Sequence, residues 1–145
     1  MKYLLDTCVV SEFVKPQPDP GLTSWLHDCD EEQLAISVAT IAEIQSGIAR
    51  LPQSARRTAL ETWLAQDLIA RFEPRILPLD LATALAWGDA MGRAKRAGRP
   101  APQIDALLAA VCGIRKLVLV TRNVKDFERL EVELLNPWQG HVSGH

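Results

Sequence analysis

Three acids stand where acids are expensive. Asp6 ends the apolar run of "YLLDTCVVSEF", Glu43 lies between Ile41 and Ile44 in "TIAEIQSGI", and Asp105 opens the apolar stretch "QIDALLAAV". An ionised carboxylate beside core positions is costly unless it is paired or hydrogen-bonded. Brought together, three of them repel, and a hard divalent cation relieves the repulsion. Mg²⁺, or Mn²⁺ in its place, prefers carboxylate oxygens and retains several waters, and no His or Cys cluster competes for a softer metal. Simpler accounts stand beside this one. Asp6 and Thr7 also suit the N-terminal cap of a following helix, and a carboxylate in the first turn of the Asp105 helix is favoured by the helix dipole.

A further stretch, "VTRNVKDFERL", offers Thr121, Asn123 and Asp126 after an apolar run. Asn123 reads equally as the cap of a short helix from Val124, and Asp126 as a solvated helical residue. Basic residues surround these candidates: Arg93, Lys95, Arg96 and Arg99 in "GRAKRAGRP", with Arg122 and Lys125 flanking the last stretch. They suit contact with a phosphate backbone, or a basic helix end that answers the dipole. Trp63 and Trp87 are read as core residues rather than stacking platforms.

Elements that could hold such a site alternate along the chain. Strand-like runs are Tyr3–Leu5, "QLAIS" from Gln33, "RILPLD" from Arg75 and "KLVLVT" from Lys116. Between them lie a helix from Val38 that stops near Pro52 with Ile41, Ile44, Ile48 and Leu51 on one stripe, and an amphipathic segment from Ser54 to Arg71. An Ala-rich helix from Leu81 is closed by Gly98 and Pro100, and another helix starts near Ile104. "KPQPDPG", Lys15 to Gly21, reads as a loop or turn. This alternation predicts right-handed βαβ units around a mostly parallel sheet, an α/β fold in which ligands gather at the carboxyl ends of the strands.

The 145 residues suit one domain over 1–145, with the last few residues as a flexible tail. A net charge of -2 excludes a strong single-sign field over the whole surface, so any basic surface must be local. There is neither an apolar run of about 20 residues nor a signal-peptide pattern, so the expected address is the cytoplasm, away from membranes. Cys8, Cys29 and Cys112 form no CxxC pair and are read as small core residues. His27 stands alone, and His141 and His145 belong to the tail.

The four stretches "YLLDTCVVSEF", "ATIAEIQSGI", "QIDALLAAVC" and "LVTRNVKDFERL" resemble the motifs of PIN-domain ribonucleases, in order and over nearly the whole chain. As a set they resemble the VapC toxins of type II toxin–antitoxin systems, with "LLNPW" at Leu134 to Trp138 similar to the FitB-like subgroup. The resemblance implies a three-layer PIN-like fold with about five central strands. It implies a Mg²⁺-dependent endoribonuclease whose acids correspond to Asp6, Glu43 and Asp105, with Asp6 and Asp105 as direct metal ligands. Asn123 stands where many PIN domains carry a fourth acid, a role that Asp126 could fill. Thr7 and Thr121 would be auxiliary polar groups, and Arg93, Arg96, Arg99 and Arg122 RNA backbone contacts. Implied partners are RNA, a cognate antitoxin that occludes the pocket, a second toxin copy, and operator DNA bound by the toxin–antitoxin assembly. Two rivals remain: a PIN-like domain that binds RNA without cutting it, and a receiver module phosphorylated on Asp80 with Thr121 as switch partner.

Overall fold

The computed structural model describes residues 1–138. Five strands form one parallel sheet: β1 Tyr3–Leu5, β2 Leu34–Ser37, β3 Ile76–Leu77, β4 Val118–Val120 and β5 Leu134–Leu135, in spatial order β3-β2-β1-β4-β5. β1 is central, pairing Tyr3 and Leu4 with Leu34 and Ala35 on one side and Tyr3, Leu4 and Leu5 with Val118, Leu119 and Val120 on the other.

Strands covered on both faces read as unbroken apolar runs, because each side chain meets a helical layer. Successive residues point to opposite faces, and the two cores divide accordingly. Leu5, Leu34, Ile36 and Val120 join one cluster; Leu4, Ala35 and Leu119 join the other. Helices α1 Thr7–Glu12, α2 Pro20–Asp28, α3 Val38–Ala49, α4 Ala55–Thr62 and α5 Ile69–Phe72 are followed by α6 Leu81–Arg96, α7 Gln103–Arg115 and α8 Val124–Phe127. A π-helical stretch, Trp63–Leu68, joins α4 to α5. Trp63 packs against the first core and Trp87 against the second, as expected.

Polar side chains set several helix starts. Ser37 Oγ accepts from the Ala39 amide at 3.0 Å and Ser54 Oγ from Arg57 at 3.1 Å, each satisfying an amide that the helix leaves unpaired. α6 ends in a Schellman turn. The Arg99 amide donates to the Ala94 carbonyl and the Gly98 amide to that of Lys95, each at 2.9 Å. Gly98 takes φ 75 there, a left-handed conformation that only glycine adopts without strain.

Three expectations change. "KPQPDPG" is not a loop throughout: Pro20 occupies the first turn of α2, where its missing N–H is harmless, and Asp19 caps it through the Leu22 amide at 3.0 Å. "RILPLD" shrinks to Ile76–Leu77, since Pro78 has no donor to continue a ladder. β5 is an addition, held by the pairing of Leu119 and Val120 with Leu134 and Leu135. His141, His145 and the tail lie outside the described residues. Among those described, no helix is long and apolar enough to cross a membrane.

Candidate active site

Asp6 sits where β1 stops. Its backbone amide still donates to the Val120 carbonyl at 3.0 Å, so the ladder holds the residue while the chain turns into α1. The side chain is nearly buried, with 8% exposed. Oδ1 accepts from the Thr7 amide at 2.7 Å and Oδ2 from Thr121 Oγ1 at 2.8 Å. The capping account is half right. Asp6 occupies the N-cap position of α1, but it reaches the first helical amide rather than the second or third, which an ordinary cap takes.

Two threonines bind the strand ends and helices together. Thr121, fully buried at the end of β4, donates to Asp6 and accepts from the Asn123 amide at 3.0 Å. Thr7 Oγ1 donates a hydrogen bond to Glu43 Oε1, which fixes a half-buried carboxylate of α3 beside the start of α1. Both hydroxyls thus hold an acid in one orientation.

Asp105 lies in the first turn of α7, partly buried. Its carboxyl is pushed up from the ordinary 3.8 to about 6, first by burial and then by the charges of Asp6, Asp126 and Glu43. No basic side chain is among the causes. Asp6, Glu43, Asp105 and Asp126 therefore share one field, with Asp105 bearing the strain. Asp126 is exposed on α8. Asn123 precedes it at the N-cap position without making a side-chain cap bond.

These donors are all oxygens, the set that suits Mg²⁺ or Mn²⁺. Among the described residues, no group of three or more His, Cys, Asp or Glu side chains is placed to hold a metal ion. A hard ion held by one or two carboxylates, with waters completing its shell, is the mode that fits.

Asp80 does not join this pocket. It caps α6, accepting from the Thr83 amide at 2.9 Å, at the end of edge strand β3, while the Thr121 hydroxyl is engaged with Asp6. The geometry removes the phospho-acceptor reading.

Cys8 was missed as part of the site. Half-buried rather than fully in the core, it places Sγ 3.5 Å from Asp6 Oδ2 and 3.6 Å from Thr121 Oγ1, with the Arg122 amide at 3.5 Å. Burial first and then the Asp6 charge push its thiol pKa up, which leaves it a donor to the carboxylate. Its position two residues after Asp6 was the available signal. Of the basic candidates, Arg93 and Arg99 line a cleft that Asp126 also lines, while Arg96 and Arg122 are not in that lining.

The sequence profile of the PIN domain matches residues 3–133. The chain belongs to the PIN-domain family. Over 136 residues it is 32% identical to the VapC ribonuclease Y4jK of Sinorhizobium fredii, covering 94% of this chain and 97% of that protein. Toxin FitB of Neisseria gonorrhoeae is 33% identical over 135 residues, 93% of this chain and 97% of that one. The structure of FitAB bound to a DNA fragment superposes with a TM-score of 0.87 at 30% identity, covering 99% of both chains. In this PIN domain the sheet order and the acid-lined carboxyl edge are those described above.

Proposed function

We propose that this PIN domain is a divalent-cation-dependent endoribonuclease, the toxin of a type II toxin–antitoxin pair, with residues 1–145 working as one cytoplasmic domain. The observation that carries the reading is the set of carboxylates at the carboxyl ends of the central strands, with Asp6 held by Thr121 and Glu43 by Thr7. The Asp105 carboxyl is pushed up there by burial first and then by the charges of Asp6, Asp126 and Glu43. Evolutionary kinship with a VapC ribonuclease and a toxin supports it.

Asp6 and Asp105 would hold the cation, which when bound polarises a phosphodiester oxygen and acidifies a water. The chain supplies the rest. Thr7 and Thr121 each use one hydrogen bond to fix a carboxylate before substrate arrives, so little reorganisation accompanies reaction. Thr7 engages Glu43 Oε1, which leaves Oε2 to orient the attacking water and accept its proton. Asp126, exposed beside the pocket, adds the fourth negative charge where Asn123 brings none. Attack by water does not use the 2′-hydroxyl, so preference for RNA comes from substrate shape and exposure. The proposed partners are an antitoxin that covers the pocket, a second copy of the chain, and operator DNA reached through the antitoxin.

The test is cleavage of total RNA with Mg²⁺ or Mn²⁺ and with EDTA. Cleavage should require the ion and vanish in Asp6→Asn and Asp105→Asn; survival in both variants overturns the pocket. RNA bound but never cut by the wild type would favour the non-catalytic alternative. Co-expression with the protein encoded by the adjacent gene should suppress the activity.

A further inference from the structure

Asp6 is held by more hydrogen bonds than a helix cap needs, and the protons that serve it can be followed one by one. The Thr121 hydroxyl donates to Oδ2 at 2.8 Å, and the Cys8 thiol donates to the same oxygen at 3.5 Å. Each donor is fixed in turn by a backbone amide of the turn after β4. The Asn123 N–H donates to Thr121 Oγ1 at 3.0 Å, and the Arg122 N–H to Cys8 Sγ at 3.5 Å. Two successive amides thus hold two side chains whose own single protons are both committed to Asp6. The 3.6 Å approach of Cys8 Sγ to Thr121 Oγ1 is then the contact of two groups that converge on one oxygen.

A carboxylate has two oxygens with about four lone-pair sites between them. Thr121 by itself leaves one site of Oδ2 open, and the thiol closes it. Oδ1 spends one site on the Thr7 amide at 2.7 Å and keeps the other. We propose that Cys8 is a positioning residue that makes Asp6 a one-oxygen ligand: by closing Oδ2 together with Thr121 it leaves Oδ1 alone to face a cation, and so favours Mg²⁺ over Ca²⁺. The inference rests on the ribonuclease reading and deepens it by naming what selects the ion. Mg²⁺ demands a near-octahedral shell at about 2.0–2.1 Å and keeps several waters, whereas Ca²⁺ takes roughly 6–8 oxygens at about 2.3–2.6 Å and accepts both oxygens of one carboxylate. Asp6 is nearly buried, and its own amide is pinned to the Val120 carbonyl. Turning the carboxylate to present both oxygens therefore breaks the bonds from Thr121 and Cys8 together.

Removing a group that is hydrogen-bonded to a metal ligand typically changes metal affinity by about 10–100-fold. Cys8→Ala should raise the ratio of Ca²⁺ to Mg²⁺ affinity about tenfold, chiefly through tighter Ca²⁺ binding. Cys8→Val, which fills the space without a donor, should shift the ratio alike, and Cys8→Ser, which keeps a donor, should hold the wild-type ratio. The measurement needs no RNA: Mn²⁺ is bound to the metal-stripped protein, Mg²⁺ or Ca²⁺ displaces it, and the EPR signal of free Mn²⁺ follows the exchange. A thiol that merely packs against its neighbours would change both affinities by one factor and leave their ratio where it was. An unchanged ratio in whichever of Cys8→Ala and Cys8→Val thermal melts show folded, or the same shift in Cys8→Ser, overturns the proposal. A wild type that binds none of the three ions refutes the ribonuclease reading itself. Mg²⁺-dependent RNA cleavage by the wild type, alongside an unchanged ratio in the variants, refutes only the role of Cys8.

Discussion

Replacing Asp105 by Asn should stabilise the metal-free protein while abolishing its activity. The folded carboxyl sits near 6 against an ordinary 3.8, so between those values the folded state binds a proton that the unfolded chain does not. Whatever stability this group contributes is present in acid and is lost as pH rises through the folded value. Two units of displacement correspond to at most about 3 kcal/mol. The side chain is only partly buried, and solvent screening reduces the net effect to about 1 kcal/mol at neutral pH. Urea unfolding in EDTA measures it directly. Asp105→Asn, close in shape to the protonated acid, should gain about 1 kcal/mol near pH 7 and nothing near pH 4. Added Mg²⁺ should raise the melting temperature of the wild type and leave that of the variant unmoved, since a ligand stabilises only the form it binds. A variant less stable than wild type near neutral pH, in EDTA, would refute the reasoning. The carboxylate would then be serving the dipole of α7, whose loss destabilises.

Thr121→Val removes a buried bond to Asp6 and leaves the Asn123 amide without its acceptor. It should cost about 1–3 kcal/mol in unfolding experiments and lower kcat more than KM, because Asp6 loses its fixed orientation rather than its charge. Asp80→Asn keeps an oxygen for the Thr83 amide and should leave RNA cleavage at the wild-type rate; a lost activity would bring Asp80 into the site and contradict its role as a helix cap.

The sheet was legible because parallel strands covered on both faces leave an apolar signature that needs no partner to be recognised: "YLL", "LAIS" and "VLV" read correctly. β5 was not, since Leu134 and Leu135 are only partly buried and become a strand solely through pairing with β4. The same division runs through the site. Asp6, Glu43 and Asp105 stood out because each is an acid among apolar neighbours, a conflict visible locally. Cys8 was read only as a small core residue because its chemistry depends on Thr121, 113 positions away, which no local pattern reveals. Arg96 was grouped with Arg93 and Arg99 by proximity in sequence. Helical phase separates it, for the cleft takes Ala90, Arg93, Ala94 and Ala97, and Arg96 falls off that face.

The pocket's physics ties activity to stability. Apolar strands hold Asp6 and Thr121 rigidly at the carboxyl ends of β1 and β4, and two hydroxyl bridges fix the orientation of the acids that repel one another. A fold can bear that repulsion because its cores lie on both sides of the sheet and do not include the acid edge. What relieves it is positive charge delivered to Asp105, and the electrostatics do not distinguish a metal ion from a guanidinium presented by a partner protein. Cation binding and inhibition by a basic segment would then draw on the same free energy, so excess Mg²⁺ should weaken such an inhibitor by competition and not merely by screening. Monovalent salt at equal ionic strength separates the two effects, since it screens charge without occupying the carboxylates.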